Sequence, residues 1–134
     1  MTALSLPIDP GLLLLIAIDG IHTSCRAFWA EIDRFPSLDM FDGYEARIKD
    51  KTLGDDEVLF RLRDDEDGEA EAEERPWVDI TMSSLRDATR RALVEYNHLY
   101  TYTVSEGVIT DIDYDGWGAD AILQFATLKE VTYG

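Results

Sequence analysis

A chain of 134 residues with 46% hydrophobic side chains has the size and apolar content of one globular domain with its own core, which excludes a disordered polymer. Its 28 acids against 12 bases give a net charge of −16, and a field of that sign repels nucleic acid and anionic membrane surfaces while attracting cations and basic protein patches. The bases are nine Arg and three Lys; low Lys with high Asp and Glu also fits adaptation to a salty cytoplasm, where the charge serves solubility alone.

The first element is predicted to be a long helix. Asp9-Pro10 is a capping carboxylate followed by proline at the first helical position. Leu12, Leu15, Ile18, Ile21, Cys25, Phe28, Trp29 and Ile32 then recur at helical spacing. Leu13, Leu14 and Ile16 make the first turns apolar all round, which places the helix either at the centre of the core or in a homodimer contact, with Leu14 as its test position. Gly20 interrupts the pattern, so a strand over 12–18 is the alternative. The apolar run from Leu12 to Ile18 is too short for the roughly 20 residues of a membrane span. No basic residue precedes it, so a secretory signal is not expected either. Cys25 is the only cysteine, which excludes an internal disulfide and points to a reducing compartment, the cytoplasm. His22 and Cys25 lie three apart, a spacing compatible with two metal ligands or a Cys–His pair. A structural zinc site needs four ligands, however, and the only other histidine is His98. Cys25 sits on the apolar stripe and reads as a small core residue.

The middle of the chain reads as three antiparallel strands. Tyr44, Ala46 and Ile48 alternate with Glu45, Arg47 and Lys49, and Leu53-Gly54-Asp55 signals a turn. Val58, Phe60 and Leu62 alternate next, and a third strand is expected from Trp77 to Thr81. Between the last two lies an acidic tongue from Asp64 to Arg75, with eight acids and one base. Its acids Asp64, Asp65, Glu66, Asp67, Glu69, Glu71, Glu73 and Glu74 form the candidate site for a basic protein surface. Sixteen acids but only six bases fall within 39–79, so most of the net charge gathers there. Glu69, Glu71 and Glu73 on one strand face would repeat about every 6.8 Å. DNA carries a phosphate about every 3.4 Å per strand. Mimicry of nucleic acid therefore needs a second acidic row, which Asp55, Asp56 and Glu57 supply in part. In composition alone the chain is similar to small acidic proteins with which mobile elements block nucleic-acid-binding machinery.

Ser84, with Asp87 three residues later, marks a second helix whose apolar face is Leu85, Ala88, Ala92, Leu93 and Tyr96. Tyr100–Val104 and Val108–Tyr114 form a hairpin around Ser105-Glu106-Gly107, and a short final helix covers Ala119–Lys129. The fold class is α+β: long N-terminal helix, three-stranded antiparallel sheet, second helix, β-hairpin and short C-terminal helix.

Asp111-x-Asp113-x-Asp115-Gly116, with Asp120 following, resembles the first half of an EF-hand calcium loop. Alternating carboxylates offer oxygen ligands to a hard cation, and the glycine permits the bend. The second half departs from the pattern, since Gly118 and Ile122 occupy the positions of the aliphatic residue and the bidentate Glu. Read structurally, Asp111 and Asp113 are the water-facing side of a strand. No glycine-rich phosphate loop is present, and nothing singles out a catalytic pair among the acids. Tyr96, Tyr100, Tyr102, Tyr114 and Trp117 gather without basic residues, which fits core or protein contact better than base stacking. The expectation is a non-enzymatic acidic protein that binds a basic partner protein, with no direct nucleic-acid or membrane binding; a calcium module is the alternative.

Overall fold

The computed structural model describes residues 6–22, 29–33, 38–64 and 76–132, and the protein is α+β. The first helix, α1, spans Pro10–His22. Asp9 caps it: its Oδ1 accepts from the Gly11 amide at 3.0 Å, and its carbonyl receives the amides of Leu12 and Leu13. Leu12, Leu13, Leu14, Ile16, Ala17 and Ile21 are all buried. A helix apolar on every side sits at the centre of a core, and Leu14 is enclosed within this chain at 2% exposure while Leu15 stands 49% exposed. Gly20 does not break the helix, and the strand alternative for 12–18 does not form. Trp29 is fully buried in the core.

The expected helical run to Ile32 does not hold. Ile32 lies in strand β1, Ala30–Asp33. The segment 44–49 is not a strand either; it belongs to helix α2, Leu38–Lys49. The alternation of Tyr44, Ala46 and Ile48 is short enough to fit both periods. Phe41 decides it, because Phe41, Tyr44 and Ile48 fall at i, i+3 and i+7 on one helix face and pack on the core, whereas Ala46 is exposed. The Tyr44 hydroxyl donates to the Leu59 carbonyl at 2.9 Å and ties α2 to the chain entering the sheet.

That sheet is three-stranded and antiparallel, in the order β1, β2 (Phe60–Asp64), β3 (Val78–Ile80). Ile32 pairs with Leu62, and Phe60 with Ile80, so the central strand buries Phe60 and Leu62 on its inner face. Arg61 lies on the outer face between Asp79, at 2.8 Å, and Asp33, at 3.8 Å. Arg63 pairs with Glu31 at 2.7 Å and rests 4.3 Å from the centre of the Trp77 ring.

Helix α3, Met82–Glu95, is capped three residues before the expected cap at Ser84. Thr81 is the N-cap: its hydroxyl accepts from the Ser84 amide at 3.1 Å, and Ser84 Oγ accepts from the Thr81 amide at 2.9 Å. The serine thus closes the capping box from inside the helix. The predicted apolar face is present, with Leu85, Ala88, Ala92 and Leu93 buried.

A short 3₁₀ turn, Asn97–Leu99, leads into the hairpin of β4 (Thr101–Ser105) and β5 (Val108–Asp113). Glu106 and Gly107 both take positive φ, 53° and 79°, as a two-residue turn between right-twisted strands requires. A register shift at Thr103/Val104 marks a bulge. The far edge of β5 is occupied: Ile109 donates its amide to the Pro7 carbonyl at 2.9 Å and accepts from the Asp9 amide at 3.0 Å.

The last helix, α4, spans Gly116–Leu128 and packs against α1 and α3. It starts earlier than expected because Asp115 caps it, accepting from the Gly118 amide at 2.7 Å. Lys129 ends it in the left-handed conformation. Among the described residues no helix is long and apolar enough to cross a membrane.

Candidate functional site

The Asp-rich segment 111–120 is divided by the fold into three environments. Asp111 and Asp113 point outward from β5, opposite Thr103 and Thr101 of β4. Asp115 is spent on the α4 cap. Asp120 is fully buried one turn inside the helix. Among the described residues no group of three or more His, Cys, Asp or Glu side chains is placed to hold a metal ion. His22 and Cys25 do not bear on this point, because the His22 side chain and residue 25 lie outside what is described.

Asp120 belongs instead to a buried polar chain. Its Oδ1 accepts from the Trp29 indole N–H at 2.8 Å, and its Oδ2 accepts from Gln124 Nε2 at 2.9 Å. Gln124 Oε1 in turn accepts from the Thr132 amide at 2.8 Å. The chain links residue 29, the middle of α4 and the segment after it. Burial pushes the Asp120 carboxyl above its ordinary range, with the two donated hydrogen bonds opposing that shift. A signal for this was present in the sequence. An acid flanked by Ala119, Ala121 and Ile122, with an amide four residues on, fits a satisfied core group better than a solvated ligand.

A shallow hollow of about 310 Å³ opens beside this region, lined by His98, Tyr100, Thr101, Asp113, Tyr114 and Asp115. Its tyrosines have structural duties. Tyr100 donates to the Gly118 carbonyl at 2.7 Å, and Tyr114 donates to Asp19 Oδ2 at 2.5 Å. Burial raises the pKa of both phenols, and neighbouring carboxylates raise it further. The hollow places the His98 imidazole beside the carboxylates of Asp113 and Asp115 and the Thr101 hydroxyl.

Of the acidic tongue, Asp64 is described at the end of β2; Asp65, Glu66, Asp67, Glu69, Glu71, Glu73 and Glu74 lie outside the described residues. The acids around it are placed. Asp39, Asp42, Glu45, Asp50 and Asp56 are exposed along α2 and the segment that follows. Nearby, Arg47 engages Glu57 through two nitrogens and holds that carboxyl below its usual range, and Arg86 does the same to Asp55 at 3.0 Å. Comparison with family models, with curated proteins and with solved structures finds no match to the chain.

Proposed function

We propose that this is a non-enzymatic acidic binding protein that presents a negatively charged face to a basic surface of a partner protein in a reducing compartment. The observation that carries the reading is the charge distribution: 16 of the 28 acids, against six bases, fall within 39–79. The placement of the neighbouring arginines supports it. Arg47, Arg61, Arg63 and Arg86 are each taken up by a specific carboxylate. Asp39, Asp42, Glu45, Asp50 and Asp56 keep exposed charge with no ion pair among the described residues. Such a face raises the rate of encounter with a cationic surface and is weakened by salt. In its most specific form the reading is a mobile-element accessory factor or a nucleic-acid mimic, with the acids of 64–74 as one row; of Asp55, Asp56 and Glu57, expected to supply part of a second, Asp55 and Glu57 are paired with arginines and Asp56 keeps its charge exposed.

The test is affinity capture with the full chain and with a variant in which Asp64, Asp65, Glu66, Asp67, Glu69, Glu71, Glu73 and Glu74 become Asn or Gln. A basic protein retained at low salt, released as salt rises, displaced by duplex DNA and lost from the variant is the expected result. Equal retention by both chains removes the tongue from the binding surface.

A further inference from the structure

Among the described residues, no strand pairs with the outer edge of β4. An edge strand leaves alternate backbone N–H and C=O groups ready for another chain, and proteins normally guard such edges with Lys, Pro or charge. Thr101–Ser105 contains no charged residue and no proline, in a chain that is 30% charged. All five residues are exposed, and the register shift opposite Thr103/Val104 comes from an extra residue, Thr110, on β5 rather than on β4.

The two faces of the hairpin differ. On one, Thr101 stands opposite Asp113 and Thr103 opposite Asp111, and all four are exposed. On the other, Tyr102 stands opposite the buried Ile112 and Val104 opposite the buried Ile109, yet Tyr102 and Val104 are 42% and 45% exposed. A strand added along β4 continues this alternation. Its side chains on the first face lie two strand spacings, about 10 Å, from Asp111 and Asp113. A Lys or Arg stem and an Asp carboxylate close that gap above the short threonines. On the second face, apolar side chains cover Tyr102 and Val104.

We propose that β4 is the docking edge for an extended segment of the basic partner in which Lys or Arg alternates with apolar residues, added as a third strand to the hairpin. The inference rests on the basic-partner reading and names the site and mode of that contact. Charge complementarity selects this occupant over a second copy of the chain, which would bring another −16 and another Asp111 and Asp113 to an edge with no cation to answer them.

The experiment titrates the isotope-labelled full chain with the peptide Lys-Val-Lys-Val-Lys, with its block isomer Lys-Lys-Lys-Val-Val, and with Glu-Val-Glu-Val-Glu, reading amide exchange residue by residue. Saturable binding of the alternating peptide is expected, with slowed exchange in 101–105 and release by salt. The block isomer should bind several-fold more weakly and the acidic peptide not at all. Asp111→Asn combined with Asp113→Asn, both at exposed positions, should weaken binding by roughly three- to tenfold with the melting temperature retained. Val104→Lys should abolish the protection. Equal binding of the two basic isomers, or protection confined to other elements, overturns the β4 assignment and leaves the basic-partner reading standing. Protection of β4 without peptide, with a mass that rises with concentration, puts a second copy there and overturns it as well. Failure of every basic peptide removes the docking edge, and the capture experiment, which alters the acids of 64–74 and not those of β5, separately decides the reading beneath it.

Discussion

A carboxylate in an apolar helix is unfavourable unless it is neutral or supplied with donors. Asp120 meets that condition through Trp29 and Gln124, two donors without formal charge. Because burial raises its pKa in the folded chain, its contribution to stability is fully present below the unfolded value and is lost as pH rises through the folded one. Asp55 and Glu57 have the opposite sign. Their arginines lower the folded pKa, so that contribution is present above the unfolded value and lost on acidification. Both are solvent-screened surface pairs of small weight. Replacing Asp120 by Asn removes the titration but sets an amide against the Gln124 donor. We expect Asp120→Asn to be less stable than the parent chain at pH 4 and to gain on it as pH rises to 7, as read by paired urea melts. A stability difference that does not change with pH would mean that the Asp120 carboxyl titrates in the fold as it does in the unfolded chain.

The glycines of α1 and α2 separate helix propensity from packing at the scale of the element. A Cβ on Gly20 would lie 2.5 Å from Leu123 Cδ1 and 3.4 Å from the Ala119 carbonyl, and Leu123 is itself fully buried. Gly20 is therefore the point where α1 approaches α4 closely. Gly43, exposed in α2, has nothing within 4 Å. Gly20→Ala should destabilise by about 1–3 kcal/mol despite the better helix former, because the core is overpacked. Gly43→Ala should stabilise by about 0.5–1 kcal/mol. Urea unfolding of the two variants checks both signs, and a stable Gly20→Ala would mean that the helices separate without penalty. Gly20 also shows where sequence reasoning reaches its limit. The start of α1 at Asp9-Pro10, the turn at Glu106-Gly107 and the apolar face of α3 are written in neighbouring residues, and all were legible. What was not legible depends on distant partners. Ile32 keeps helical spacing with Trp29, and only pairing with Leu62, thirty residues on, makes it a strand. The Asp-rich segment was legible as chemistry but not as placement. Nothing between Asp111 and Asp120 marks the point where an exposed strand becomes a buried helix until the cap at Asp115 is known. The acidic tongue, the clearest compositional signal, falls mostly outside the described residues.

At the scale of the whole molecule, a net charge of −16 on 134 residues opposes its own compaction. The ion pairs do little to offset this. Arg61, Arg47 and Arg91 are all more than a third exposed in their pairs with Asp79, Glu57 and Glu95, and pairs of that kind contribute little each. Repulsion among the remaining acids acts over the Debye length, about 30 Å at 10 mM salt and about 10 Å at 0.1 M. Salt should therefore stabilise this protein at neutral pH. The melting temperature should rise by several degrees between 10 mM and 0.5 M NaCl, at ~4 °C for each kcal/mol of repulsion relieved. Salt also strengthens apolar burial in general, and pH separates the two effects. Near pH 4.2, the isoelectric point of the sequence, the net repulsion is gone. A slope that vanishes there assigns the stabilisation to charge, and one that persists assigns it to the solvent. A melting temperature that falls with salt at neutral pH would mean that the few ion pairs outweigh the repulsion, and the acidic face would then be held by its arginines rather than free to meet a cationic partner.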